Sequence, residues 1–108
     1  MTGPEHIAAQ TDLPTIDKVV HEPARMAILS VLDAVAQADF TFLETMLGLS
    51  KGNLSSHFTR LEVAGLITMK KSFRGRRQRT TVRITAQGRR AREEHWEQLE
   101  RLHDLMRN

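Results

Sequence analysis

Apolar residues in this chain recur at helical spacing in several stretches and alternate with polar ones near the middle. From Leu13 to Val20, Ile16, Val19 and Val20 fall on one side of a short first helix that Asp12 could cap. His21-Glu22-Pro23 breaks it. Pro23 suits the first turn of a new helix, where its missing N–H costs nothing. That helix runs to about Ala36, with Met26, Leu29, Leu32 and Val35, flanked by Ile28 and Val31, as a broad core face. Asp39-Phe40-Thr41 reads as a short extended piece.

Thr41 reads as the N-cap of the next helix, with Glu44 closing a capping box and Leu43, Met46 and Leu47 facing inward. Gly48 can take the left-handed conformation that stops it. Leu49 plugs the turn and Ser50 caps another helix. There Leu54, Phe58, Leu61 and Gly65 fall at i, i+4, i+7 and i+11, so one face is buried. The opposite face carries Lys51, Asn53, Ser55, Ser56, Thr59 and Arg60. Leu66 to Phe73 is a strand with Ile67, Met69, Lys71 and Phe73 on one side. Arg74-Gly75-Arg76-Arg77-Gln78 is a tip, and Arg79 to Thr85 returns with Val82 and Ile84 alternating. Thr85 caps a last helix over 86–107. Two helices joined by a glycine turn and followed by a ribbon give the order of a winged helix-turn-helix. The fold class is therefore mainly α with a small β-ribbon (α+β), with N- and C-terminal dimerisation helices.

Composition narrows this picture. The 108 residues fit one domain, with 1–11 as a flexible polar tail and 12–108 as the folded unit. No cysteine is present, which removes disulfides, thiolate metal sites and thiol catalysis and suits a reducing cytoplasm. No stretch reaches the ~20 apolar residues of a membrane span, and no signal peptide is visible at the N-terminus. Scattered glycines form no phosphate loop. Ser55, Ser56 and His57 are helix neighbours that cannot pair as nucleophile and base across one face. Neither catalysis nor a cofactor is expected.

The net charge of +3 hides a segregation. Val63 to Arg92 holds ten Lys or Arg and no acid, so it carries +10 and the rest of the chain −7. Such a field repels itself and calls for a polyanionic partner. A major groove admits one α-helix, and short polar side chains let its backbone approach the bases. Lys51, Asn53, Ser55 and Ser56 are the candidates for base edges, with Thr59 and Arg60 nearer phosphates and the capping Ser50 among the DNA-binding residues. Asn53 could pair with adenine and Lys51 with guanine. Arg74, Arg76, Arg77 and Arg79 are the candidates for phosphate or a narrow minor groove. For each position a merely solvated surface residue is the alternative.

Four segments carry a family resemblance. Leu43 to Leu61, reading LETMLGLSKGNLSSHFTRL, resembles a regulator helix-turn-helix. Leu61 to Ile67, LEVAGLI, is similar to the helix-to-wing junction of the MarR and ArsR superfamily. Ile84 to Arg89, ITAQGR, resembles its strand-to-helix exit, and His21 to Leu29, HEPARMAIL, its opening helix. The resemblance covers about residues 12–106. It implies a cytoplasmic homodimer that binds a pseudo-palindromic operator on double-stranded DNA, usually as a repressor.

On the last helix Trp96, Leu99, His103 and Met106 are spaced 3, 4, 3, with Leu102 and Leu105 alongside. Such a stripe calls for a partner helix. Ile16, Val19, Val20, Trp96, Leu99, Leu102, His103 and Met106 are therefore the expected dimer contacts, and packing on the chain's own first helix is the alternative. Arg89, Arg90 and Arg92 read as an extension of the basic wing. His95, Glu100, His103 and Asp104 are not dense enough to expect a metal. Two other readings are open: a regulator released by a small-molecule or metal effector at the dimer helices, and a winged helix used for protein contact.

Overall fold

The computed structural model describes residues 16–107. Within them the chain forms helix α1 (Pro23–Val35), strand β1 (Gln37–Asp39), helices α2 (Phe40–Leu47) and α3 (Lys51–Val63), strands β2 (Ile67–Arg74) and β3 (Arg77–Ile84), and helix α4 (Ala86–Arg107). The predicted tail, 1–11, and residues 13–15 of the predicted first helix lie outside the described residues. What is described of that segment is not helical: Lys18–Val20 form a turn. The Asp17 carboxylate accepts from the amides of Val19 (2.9 Å) and Val20 (3.3 Å). A side chain that captures these N–H groups offers the backbone an alternative to the helix ladder.

The core is built from the faces that periodicity picked out. Ile28, Leu29 and Leu32 of α1, Leu43 of α2, and Leu54, Phe58 and Leu61 of α3 have no exposed surface. Ile67, Val82 and Ile84 close it from the sheet, and Val20 plugs it from the N-terminal side. Phe40 meets Phe58 edge to face, with ring centroids 5.4 Å apart. Two expected core residues turn outward: Val35 is 49% exposed and Met46 57%. Each sits on the last turn of its helix, where the chain leaves the core for a sheet or a turn.

The sheet has three strands in the order β1-β3-β2, one more than the ribbon expected. Residues Gln37–Asp39 pair antiparallel with Arg83–Thr81, so the extended piece lies two residues earlier than the sequence pattern placed it. The start of α2 moves with it. Asp39 is the N-cap, with no side-chain cap bond, and Thr41 lies inside the helix. The capping box with Glu44 does not form, because the chain turns into α2 as soon as its strand pairing ends.

Other stops and starts are as the sequence reads. Gly48 closes α2 at φ 66°, and the Ser50 hydroxyl accepts from the Asn53 amide at 3.1 Å. Thr85 starts α4 by accepting from the Gly88 amide at 2.9 Å while donating to the Gly65 carbonyl at 2.7 Å. Gly88 is buried where α4 crosses the wing junction. A Cβ there would stand 2.2 Å from the Leu66 carbonyl oxygen, so only glycine admits this approach.

α4 docks by Gly88, Ala91 and His95, then runs beyond the body. Its 22 residues span about 33 Å. The radius of gyration, 17.5 Å, exceeds the ~13 Å of a compact chain this size. Among the described residues no helix is long and apolar enough to cross a membrane.

Candidate nucleic-acid interface

α3 is anchored on its inner side and polar on its outer side. Leu54, Phe58 and Leu61 fix it to the core, while Lys51, Asn53, Ser55, Ser56, Thr59 and Arg60 are all exposed. The outer residues divide by helical spacing into two stripes. Lys51, Ser55 and Thr59 stand four apart and face the wing. Asn53, Ser56 and Arg60 form the second stripe, on the side away from the wing, where Arg60 borders a pocket with Lys18, Val19 and Arg25.

Between α3 and the ribbon lies an open groove of about 890 Å³. Lys51, Ser55 and Thr59 line one wall; Lys71, Arg74, Arg77, Gln78 and Arg79 line the other. Helix and wing therefore present donors and cations to one channel. The hairpin turns at Gly75 (φ 65°) and Arg76, and its register sets Arg74 opposite Arg77. Like charges directly across a strand pair repel. An anion bound between them removes that repulsion.

Hydrogen bonds already made limit what some candidates can do. The Ser50 hydroxyl accepts its cap bond and keeps its proton to donate. The Thr59 hydroxyl donates back to the Ser55 carbonyl at 3.0 Å, so it offers a lone pair and a methyl to the groove rather than a proton. Arg79 lies 3.6 Å from the Asp39 carboxylate, half exposed. Arg74, Arg76 and Arg77 are exposed at the tip. Arg83 is held by the Gln37 side chain.

The basic surface is smaller than the charge run suggested. Arg92 donates to Asp33 of α1 at 2.8 Å and to the Ser30 hydroxyl at 3.2 Å, and Arg89 reaches the other Asp33 oxygen at 3.2 Å. These two arginines brace α4 against α1 rather than extend the wing. Asp33 lies outside the basic run, so the run alone did not show its partner.

A polar lock behind α3 escaped sequence reading. Glu22, the N-cap of α1, accepts from the amides of Ala24 and Arg25, and its second oxygen is 3.6 Å from His57 Nε2 on α3. Arg25 donates through Nε to the Val19 carbonyl at 2.6 Å and lies 3.4 Å from His57 Nδ1. Burial pushes the Glu22 carboxyl upward, but the two amides and then the His57 and Arg25 charges outweigh it, and its pKa falls below the ordinary value. The only local signal was a capping-type Glu before Pro23. Its partner on α3 is 35 residues away.

The expected dimer contacts divide. Val20 is buried in this chain's own core, Val19 packs against that core and Ile16 is half-buried. On α4, Trp96 is 61% and Met106 75% exposed, His103 is exposed, and Leu99 and Leu102 are half-buried. The buried polar side chain of that helix is His95, whose Nε2 lies 2.9 Å from Nδ1 of His21. The Asp17 amide donates to the Gln98 side chain at 3.1 Å, so the N-terminal strap and α4 are tied at two points. Among the described residues no three His, Cys, Asp or Glu side chains are placed to hold a metal ion.

Residues 24–103 match a family described as a winged helix DNA-binding domain. An uncharacterized protein of Methanocaldococcus jannaschii is 35% identical over 72 residues, covering 67% of this chain and 78% of that one. A transcriptional regulator homologue from Pyrococcus horikoshii OT3 superposes with a TM-score of 0.76 at 27% identity, covering 98% of both chains. MarR superposes with a TM-score of 0.69 at 24% identity, over 82% of this chain and 64% of its own, and so shares the fold.

Proposed function

The chain belongs to the winged helix DNA-binding domain family, and from that premise we propose that it is a MarR-like transcriptional regulator, a homodimeric repressor of a pseudo-palindromic operator. Family and fold are those of regulators, not enzymes. α3 lies in the major groove, where Asn53, Ser56 and Arg60 meet the duplex first and Lys51 and Ser55 follow. The wing sets Arg74, Arg76 and Arg77 on phosphates or in the adjoining minor groove. The observation that carries this reading is the groove shared by Lys51 and Ser55 of α3 with Lys71, Arg74 and Arg77 of the ribbon. A duplex backbone fits that channel and relieves its charge. Two copies joined along α4 place two reading helices on successive turns of one DNA face, ~34–36 Å apart. A repressor of this kind works where the DNA is, in the cytoplasm.

Selection of bound fragments from random duplex DNA tests the reading. The purified protein enriches an inverted repeat, and log K falls with log salt at a slope of about −5 or steeper if six phosphates are neutralised. Replacing Arg76 and Arg77 with Ala weakens all sequences alike. Asn53→Ala relaxes preference at one base pair instead. A flat salt response overturns the role of the wing, and an unchanged preference in Asn53→Ala overturns the reading face. With the enriched duplex set across a promoter, expression falls when the protein is supplied; a rise makes it an activator.

A further inference from the structure

The wing carries one aromatic side chain that the fold does not use. Phe73 is 72% exposed. In the β2–β3 register it stands opposite Gln78, one step before Arg74 faces Arg77. Side chains alternate along a strand, so Phe73 shares its face with Ile67 and Met69, and across the ladder with Val82 and Ile84. That is the face by which the ribbon packs on the core. Phe73 prolongs it past the last buried residue, out to the tip. The aromatic contacts among the described residues, Phe40 with Phe58 and His21 with His95, do not include it.

A single exposed ring is common on protein surfaces. This ring differs in its neighbours. Lys71 precedes it by two positions on the same strand face and Arg74 follows it at the tip opposite Arg77, so the cations that draw a duplex to the wing bring the ring near the same duplex. A phenyl group can answer neither a phosphate nor a base-edge acceptor. Its favourable place there is against deoxyribose edges or between base pairs.

We propose that Phe73 is an apolar wedge that enters the minor groove and opens a base step when the arginines seat the wing. The inference rests on the DNA-binding reading above. Wedges of this kind partly unstack a step and kink the duplex by about 20–90°. Pyrimidine–purine steps resist least. The wedge thus adds a preference for TA or CA/TG at a fixed distance from the bases read by α3, with no hydrogen bond to them.

The experiment runs the selection from random duplexes with the wild type, Phe73→Ala and Phe73→Leu, and measures the bend of the enriched duplex by circular permutation. The wild type enriches a flexible step flanking the α3 half-site and bends it. Phe73→Ala keeps the half-site bases, loses the flanking step and the bend, and binds about tenfold more weakly. Phe73→Leu, still apolar, retains most of both. Because the ring is exposed, neither change touches the core, and circular dichroism checks that both variants fold. If Phe73→Ala enriches the same flanking step with the same bend, the wedge is wrong and the regulator reading stands. If the wild type enriches no duplex sequence, both fall together.

Discussion

Phe58, in the middle of α3, has no exposed surface; Trp96, in the middle of α4, is 61% exposed. The two residues belong to regions built differently. Around Phe58 three helices and a sheet meet, and every core position from Ile28 to Ile84 is closed by the chain's own atoms. Beyond Trp96, α4 continues for three turns with Leu105 49% and Met106 75% exposed and nothing of the described chain over them. The body is finished as a monomer. Among the described residues the far half of α4 is not, and in the proposed dimer that is where the second copy lies. Such a copy would leave the body intact and cover the stripe 96–106.

Replacement at each centre breaks the comparison if it is wrong. Phe58→Ala opens a cavity in the closed region and costs about 3–5 kcal/mol, most of a small domain's stability. Trp96→Glu leaves the far-UV circular dichroism spectrum and the isolated body unchanged, but the protein sediments as a monomer and its melting temperature no longer rises with concentration. If Trp96→Glu unfolds the chain at every concentration, the tryptophan serves the body and the division is false. If it sediments as a dimer, the interface lies elsewhere.

How much of this was legible in the sequence follows the same division. α4 was read over 86–107 because Thr85 and a long periodic pattern are local signals, and the turn from Gly48 to Ser50 was read for the same reason. The exposed polar face of α3 and the basic tip were also visible as surface, since both depend on residue type at fixed spacing. What failed needed a partner distant in sequence. Arg89 and Arg92 read as free cations until Asp33 is placed beside them. Thr41 has the better capping pattern, yet pairing of Asp39 with Thr81 moves the helix start. His95 looked like one more polar residue beside a seam, and His21 makes it the most buried polar side chain of the described chain.

His95 stands one residue before Trp96, at the border of the two regions, and pH tests that border. Burial first, then the charge on His21, hold its pKa below the ordinary 6.5, against an opposing pull from Asp17. A histidine depressed in the fold binds its proton more readily when unfolded. Its contribution is therefore complete above about pH 6.5 and is lost as pH falls through the folded value. Glu22 follows the same sign lower down, beginning near its ordinary 4.5. The melting temperature accordingly drops in two steps on acidification. In His95→Asn the upper step disappears and the lower one remains. An upper step that persists in this variant would assign it to another group.

The smallest effect lies inside the finished region and asks whether its closure is free of strain. α1 ends at Ala36, whose φ of 71° is the sole positive value at a non-glycine residue among those described. The conformation is imposed from both sides. The Ala36 amide closes the helix on the Leu32 carbonyl at 2.7 Å, and its own carbonyl accepts from Ile84 at 3.3 Å, tying α1 to the sheet. With ψ at −43° Ala36 lies outside the left-handed helical region, and an L-residue spends about 1–3 kcal/mol in so sparsely populated a conformation. Glycine avoids that cost and gives back part of it in unfolded-chain entropy. Ala36→Gly is thus expected to stabilise the body by about 0.5–1 kcal/mol in a denaturant titration, while the concentration dependence set by α4 stays as it was. Ala36 is exposed, so the change removes no packing that could mask the gain. A loss of stability instead means that α1 ends in a different conformation. In that case the hydrogen bond from Ile84 to Ala36 is not part of what closes the body.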